Sequence, residues 1–146
     1  MHRKMMMTIP LSIAMIACAS HPSSTAGRPV LATDLKVLQA PHDPNAVALT
    51  AQAEGIVGVT DQGCITLTTN GSTLNVILPS SMELWVEGGF ALGLTQPSTG
   101  EKYEFGKRYV LGGGSTTEAP AGVSSVSTRT ACLPPYFAIS EMRAAE

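Results

Sequence analysis

A small, disulfide-stapled β-barrel is the fold this sequence predicts, and three observations carry the prediction. Strand-like runs of about five residues recur at intervals of about ten, each bounded by Gly, Pro or Asn, the spacing of a small barrel or sandwich. Charged residues make up 14% of the chain, while Gly, Ser, Thr and Pro are plentiful and β-branched residues come in short runs, a composition that favours strands and turns over helices. The third observation is the stretch 63–79, which reads as a hairpin closed by Asn70-Gly71. Counting outward, Thr69 faces Ser72, Leu67 faces Leu74, Ile65 faces Val76 and Cys64 faces Ile77. The apolar pairs take one face, and Thr66, Thr68, Thr73 and Asn75 take the other.

The remaining elements follow in order. Residues 55–60 read as a strand entering the hairpin through Asp61-Gln62-Gly63. Met82, Leu84 and Val86 alternate with Glu83, Trp85 and Glu87, and a Gly88-Gly89 break separates them from a strand over 90–94. Short strands are expected at 102–105 and 107–111, and a closing strand at 136–140 before a polar tail at 142–146. Residues 112–130, rich in Gly, Ser, Thr, Ala and Pro, are either a loop or the site of a hidden edge strand. Glycines 58, 88, 89, 93 and 106 fall inside or beside strands, where bends and bulges coil a sheet onto itself. The expected fold is therefore all-β, a small antiparallel OB-like barrel over 46–141, with a β-sandwich as the alternative.

The first seventeen residues are not fold material. His2, Arg3 and Lys4 precede an apolar run of signal-peptide length, ending at Met15-Ile16-Ala17-Cys18. This ending resembles the lipobox of bacterial lipoproteins. The resemblance implies cleavage before Cys18, acylation of its thiol and of the new N-terminus, and a stable membrane anchor, since one acyl chain alone binds marginally. Ala19, rather than Asp, after the Cys implies the outer membrane, facing the periplasm. An ordinary secretory leader cut after Ala19, giving a soluble exported protein, is the alternative. Residues 18–45 are then the lipidated Cys, a flexible tether and a lead-in.

With Cys18 assigned to lipid, Cys64 and Cys132 remain as an even pair in an exported chain, and are read as a disulfide. The formal charge is −2, and without the leader seven basic residues face eleven acidic ones. No basic patch is left for nucleic acid. The three histidines, at 2, 21 and 42, lie outside the expected barrel, so no serine or cysteine nucleophile has a base and no zinc site has nitrogen ligands. No metal, cofactor or catalytic residue is expected.

Two function classes remain. The first is an envelope-anchored, non-catalytic lipoprotein that binds a protein partner or has a structural role, including an inhibitor or immunity type. Trp85, Phe90, Tyr103, Tyr109 and residues 112–130 are its candidate contacts. The alternative is a glycan-acting enzyme using Glu83/Glu87 or Glu101/Glu104 beside an aromatic, which requires two carboxylates converging in a cleft.

Overall fold

The computed structural model describes residues 29–44, 49–119, 122 and 131–146. The expected leader, the lipidation site Cys18, the tether and residues 123–130 lie outside the described residues. The strands are β1 (Val30–Leu31), β2 (Leu38–Gln39), β3 (Ala51–Val59), β4 (Ile65–Thr68), β5 (Thr73–Leu78), β6 (Glu83–Glu87), β7 (Phe90–Gln96), β8 (Glu101–Glu104), β9 (Arg108–Thr116) and β10 (Tyr136–Ala144).

Five strands close into a ring. β3 pairs with β4, β4 with β5, β5 with β10, β10 with β9, and β9 returns to β3. In chain order the barrel strands run first, second, third, fifth, fourth, the Greek-key closure of an OB-like barrel. The β5–β10 contact is parallel, as is β2 on β5, so the expected antiparallel barrel has mixed pairing where the chain must cross over.

The central hairpin has the register read from the sequence, with Thr68 opposite Thr73, Leu67 opposite Leu74 and Thr66 opposite Asn75. Its turn differs in detail. Gly71 stays out of the left-handed region that Gly88 and Gly89 adopt in the next hairpin, and the loop is held by the Thr69 N–H donating to the Ser72 carbonyl at 2.9 Å. Further along, the expected pairs Ile65–Val76 and Cys64–Ile77 do not form. There β4 and β5 splay, and β2 enters between them, Lys36 bridging Cys64 and Leu38 pairing Ile77.

This wedge splits the apolar residues into two clusters. Val57, Ile65, Leu67, Val76, Leu78, Leu111, Phe137, Ile139 and Met142 fill the barrel, joined by Met82, Leu94, Tyr103 and Tyr109. Leu38, Cys64, Ile77, Cys132 and Tyr136 form a second cluster. Alternation explains the division: neighbours on a strand point to opposite faces, so Ile65 and Val76 point in while Cys64 and Ile77 point out. Cys64 and Cys132 are joined by a disulfide with Cα atoms 5.7 Å apart, which staples the segment before β10 to the start of β4.

Two stretches extend the expected elements. Residues 112–116, read from the sequence as part of either a loop or a hidden edge strand, belong to β9, a strand paired on both sides. Glycine is required there because a Cβ on Gly113 would run into the Ala138 carbonyl. The expected polar tail continues β10 to Ala144, with a bulge between Ile139 and Glu141. The extra residue resets the alternation so that Ile139 and Met142 both face the core.

Strands β6, β7 and β8 are inserted between β5 and β9 and form a separate sheet to which β1 adds.

Cys132→Ala, which opens a crosslink spanning 68 residues, is expected to lower the unfolding free energy by about 4 kcal/mol, read from urea titration of the domain. Gly113→Val is expected to cost about 1–3 kcal/mol or more by pushing β9 from β10, measured in the same way.

Candidate functional site

A groove of about 250 Å³ lies on the outer wall of the β4–β5 hairpin. Thr66, Thr73 and Asn75 line it from the strands, Thr60, Gln62 and Cys64 from the β3–β4 connection, and Ala131, Leu133 and Pro134 from the segment entering β10. The three strand residues are the polar face that alternation turns away from the core. In OB-like barrels this wall, with the loops that flank it, is the surface that meets ligands.

The groove is held in shape from three directions. The disulfide fixes Cys132 to its floor. The Asn75 Nδ2 donates to the Leu133 carbonyl at 2.5 Å, drawing the entering segment over the hairpin, and the Tyr136 hydroxyl donates to the Cys132 carbonyl at 3.0 Å. On the opposite side, the Cys64 N–H donates to Thr60 Oγ1 at 3.1 Å. Leu133 stands at the rim with 60% of its surface exposed, although its neighbour Cys132 is buried.

A larger open cleft of about 670 Å³ adjoins it, sharing Thr60 and Gln62, between residues 29–36 and the β3–β4 connection. The Lys36 Nζ donates to the Gln62 carbonyl at 2.5 Å across this cleft. Gly63, at φ +83, lets the backbone pass the Asp34 carbonyl, which any side chain would block.

The candidate contact aromatics fall into two groups. Trp85 is half-buried on the β6–β8 sheet, its Nε1 donating to Glu87 at 2.8 Å with the Lys102 ammonium 4.4 Å from its ring centre. Phe90 is exposed and sits opposite Leu31 in the β1–β7 ladder, giving a small apolar surface. Tyr103 and Tyr109 are core residues, with 4% and 6% exposure, and stack edge to face at 5.5 Å. Their hydroxyls donate inward, from Tyr103 to the Met142 carbonyl and from Tyr109 to the Glu104 carbonyl. Neither is presented to a partner, because each ring bridges the inserted sheet and the barrel, where burial outweighs display.

The four glutamates are engaged separately. Glu87 holds Trp85 and lies 3.6 Å from Lys102. Glu101 accepts from Thr99 and Tyr103, and Glu104 pairs with Lys107 at 2.6 Å. Glu101 and Glu104 are three apart on one strand, so they occupy opposite faces. Glu83 is exposed at the start of β6. None of the four lines either cleft, and among the described residues no three His, Cys, Asp or Glu side chains are grouped to hold a metal.

The groove residues escaped the sequence reading because Thr66, Thr73 and Asn75 look like ordinary solvent-facing positions. Their one signal was the alternation itself, since Cys64 shares their face and its disulfide had to bring Cys132 beside them. No protein-family model, curated protein or solved structure matches this chain.

Burial, reinforced by the hydrogen bond to Glu101, pushes the Tyr103 phenol up to about 12, and burial also raises Tyr109. A phenol harder to ionise when folded contributes stability that is intact below pH 10 and lost as pH climbs from there toward 12. Alkaline titration is expected to show Tyr103 and Tyr109 ionising late, with unfolding free energy falling by about 2–3 kcal/mol near pH 12 from Tyr103 alone. Tyr103→Phe should flatten that decline.

Proposed function

We propose that this chain is an envelope lipoprotein, anchored through acylated Cys18, whose barrel is a non-catalytic module that binds an envelope component at the β4–β5 groove. The observation that carries the binding reading is the groove: its roof is pinned by a disulfide and an Asn75 hydrogen bond, yet Leu133 is left in solvent at its rim. A large aliphatic side chain displayed beside a polar, pre-shaped concavity is what a recognition surface needs. Export is supported by the disulfide itself, which persists in oxidising compartments. Anchoring is supported by the leader ending at Cys18 and follows from the two-signal arithmetic of acyl chains. An inhibitor or immunity role and outer-membrane placement both fit within this reading.

Mass measurement of the mature chain is expected to show an acylated N-terminal Cys18, and Cys18→Ala to release the protein from membranes. A soluble wild-type chain beginning at Ser20 contradicts the anchor. A photo-crosslinking residue at Leu133 is expected to trap a discrete adduct in intact cells that the same residue at Glu83 does not. Equal labelling from both positions contradicts the binding site.

A further inference from the structure

We infer that the tip of the β6–β7 hairpin, with Leu31 of β1 beside it, is a membrane-docking surface that seats Leu31, Val86 and Phe90 in the headgroup region of a phospholipid bilayer. The inference rests on the reading that the chain is anchored through Cys18, and it adds a second contact with the same bilayer, made by the fold itself.

The first argument is the clustering of exposed apolar side chains. Leu31, Val86 and Phe90 have 46%, 43% and 38% of their surface exposed, and all three lie within two rungs of the Gly88-Gly89 turn. Phe90 pairs with Leu31 on one side and Glu87 on the other, and Val86 pairs with Ala91 on the next rung. Both turn residues are exposed glycines with φ of 59° and 84°, so no side chain stands beyond the apolar ones at the tip. The Ala32 N–H donates to the Gly89 carbonyl at 2.9 Å, which ties β1 to the turn and keeps Leu31 beside Phe90.

The side chains around the tip select lipid as the occupant. As ladder partners, Leu31 and Phe90 share one face of the sheet, while Val86, next to Glu87 on β6, points from the other. A tip that is apolar on both faces is covered on all sides by entering a fluid layer, whereas a flat protein surface covers one face. Trp85 lies on the face of Phe90, about 7 Å farther from the turn along β6. The Lys102 ammonium is 4.4 Å from its ring centre, and Glu87 accepts from its Nε1 at 2.8 Å and lies 3.6 Å from Lys102. Trp and Lys are side chains that settle at a membrane–water boundary. Glu87, the carboxylate next to the turn, has its charge answered by Lys102 within this group.

Position in the chain supplies the remaining argument. β1 is the first strand among the described residues, and Leu31 stands 13 residues after Cys18, at most about 45 Å of fully extended chain. An acylated Cys18 thus holds the tip within reach of the bilayer that the acyl chains enter, and the second contact becomes intramolecular. Three apolar side chains too weak to hold a soluble domain on a membrane are then sufficient to orient an anchored one.

Trp85 is the chain's one tryptophan and reports on this surface. The experiment places the purified mature chain in vesicles of phosphatidylethanolamine and phosphatidylglycerol, with and without bromine on the acyl chains near the headgroups, and reads Trp85 fluorescence. The expected result is quenching by the brominated lipid. Leu31→Ser combined with Phe90→Ser is expected to remove most of that quenching while the chain still floats with the vesicles, and Tm is expected to hold because the positions are exposed. Where the double substitution lowers the Tm, Val86→Ser decides by the same measure. Leu49→Ser, as exposed as Leu31 but on the barrel beside Gly114, is expected to leave the quenching unchanged. The inference is overturned if brominated lipid does not quench Trp85, if the folded tip variants are quenched like the parent, or if Leu49→Ser removes the quenching. Should the mature chain be unacylated, the anchor reading falls, and the same measurement on vesicles added in excess decides this one: quenching that depends on Leu31 and Phe90 supports it, and no quenching overturns it. An acylated chain that floats with the vesicles without quenching leaves the anchor in place and removes the docking surface.

Discussion

The three-residue parallel ladder between Tyr136–Ala138 and Asn75–Ile77 is the contact on which the rest of the structure depends. The other four seams of the barrel are antiparallel. Only this one brings the last strand back across the molecule to the third, and parallel pairing needs a long crossover. The disulfide sits beside it, with Cys132 four residues before Tyr136 at the start of β10, so the covalent tie and the ladder restrain the same segment. Phe137 and Val76 face inward from this seam while Tyr136 and Ile77 face outward. One short contact thereby closes the main core and roots the second.

The second cluster explains why the groove exists. Its apolar residues draw residues 131–136 down onto the outer wall of the hairpin, and the Tyr136 and Asn75 hydrogen bonds fix the backbone carbonyls of Cys132 and Leu133. A segment held at Cys132 and at the Leu133 carbonyl leaves the Leu133 side chain in solvent. The concavity is the space left between this strap and the polar side chains below it. The groove is a by-product of barrel closure, set by which residues happen to alternate toward the wall.

The inserted sheet has a different role. Met82, Leu94 and Tyr103 close one end of the barrel interior, with the Tyr103 hydroxyl reaching the Met142 carbonyl on β10. Its solvent face carries Trp85, Lys102 and Glu87 as one connected group, and β6, at the edge of this sheet, carries a glutamate at each end and faces a bulge at Leu92 of β7. Charges on an edge strand discourage pairing with other chains. That gives the glutamates near Trp85 a structural role.

Much of this was legible in local patterns. The hairpin register from Thr66 to Asn75 followed from two-residue periodicity and its Asn-Gly turn, and the cysteine pairing followed from counting thiols in a chain read as exported, because both depend on neighbours or on arithmetic. The aromatic contacts were not legible: Tyr103 and Tyr109 lie on short polar strands, and only the packing of one sheet across another decides that their rings are core. The same holds for the glycine run at 112–114, which reads as either a loop or an edge strand until the Ala138 carbonyl is found pressed against Gly113. The sequence by itself determined that short alternating strands, tied by one disulfide, would make a small β-barrel. Tertiary structure alone decided which wall is covered and which is open, because the closing ladder and the β2 wedge join residues some forty to seventy positions apart, and no local periodicity encodes a contact at that separation.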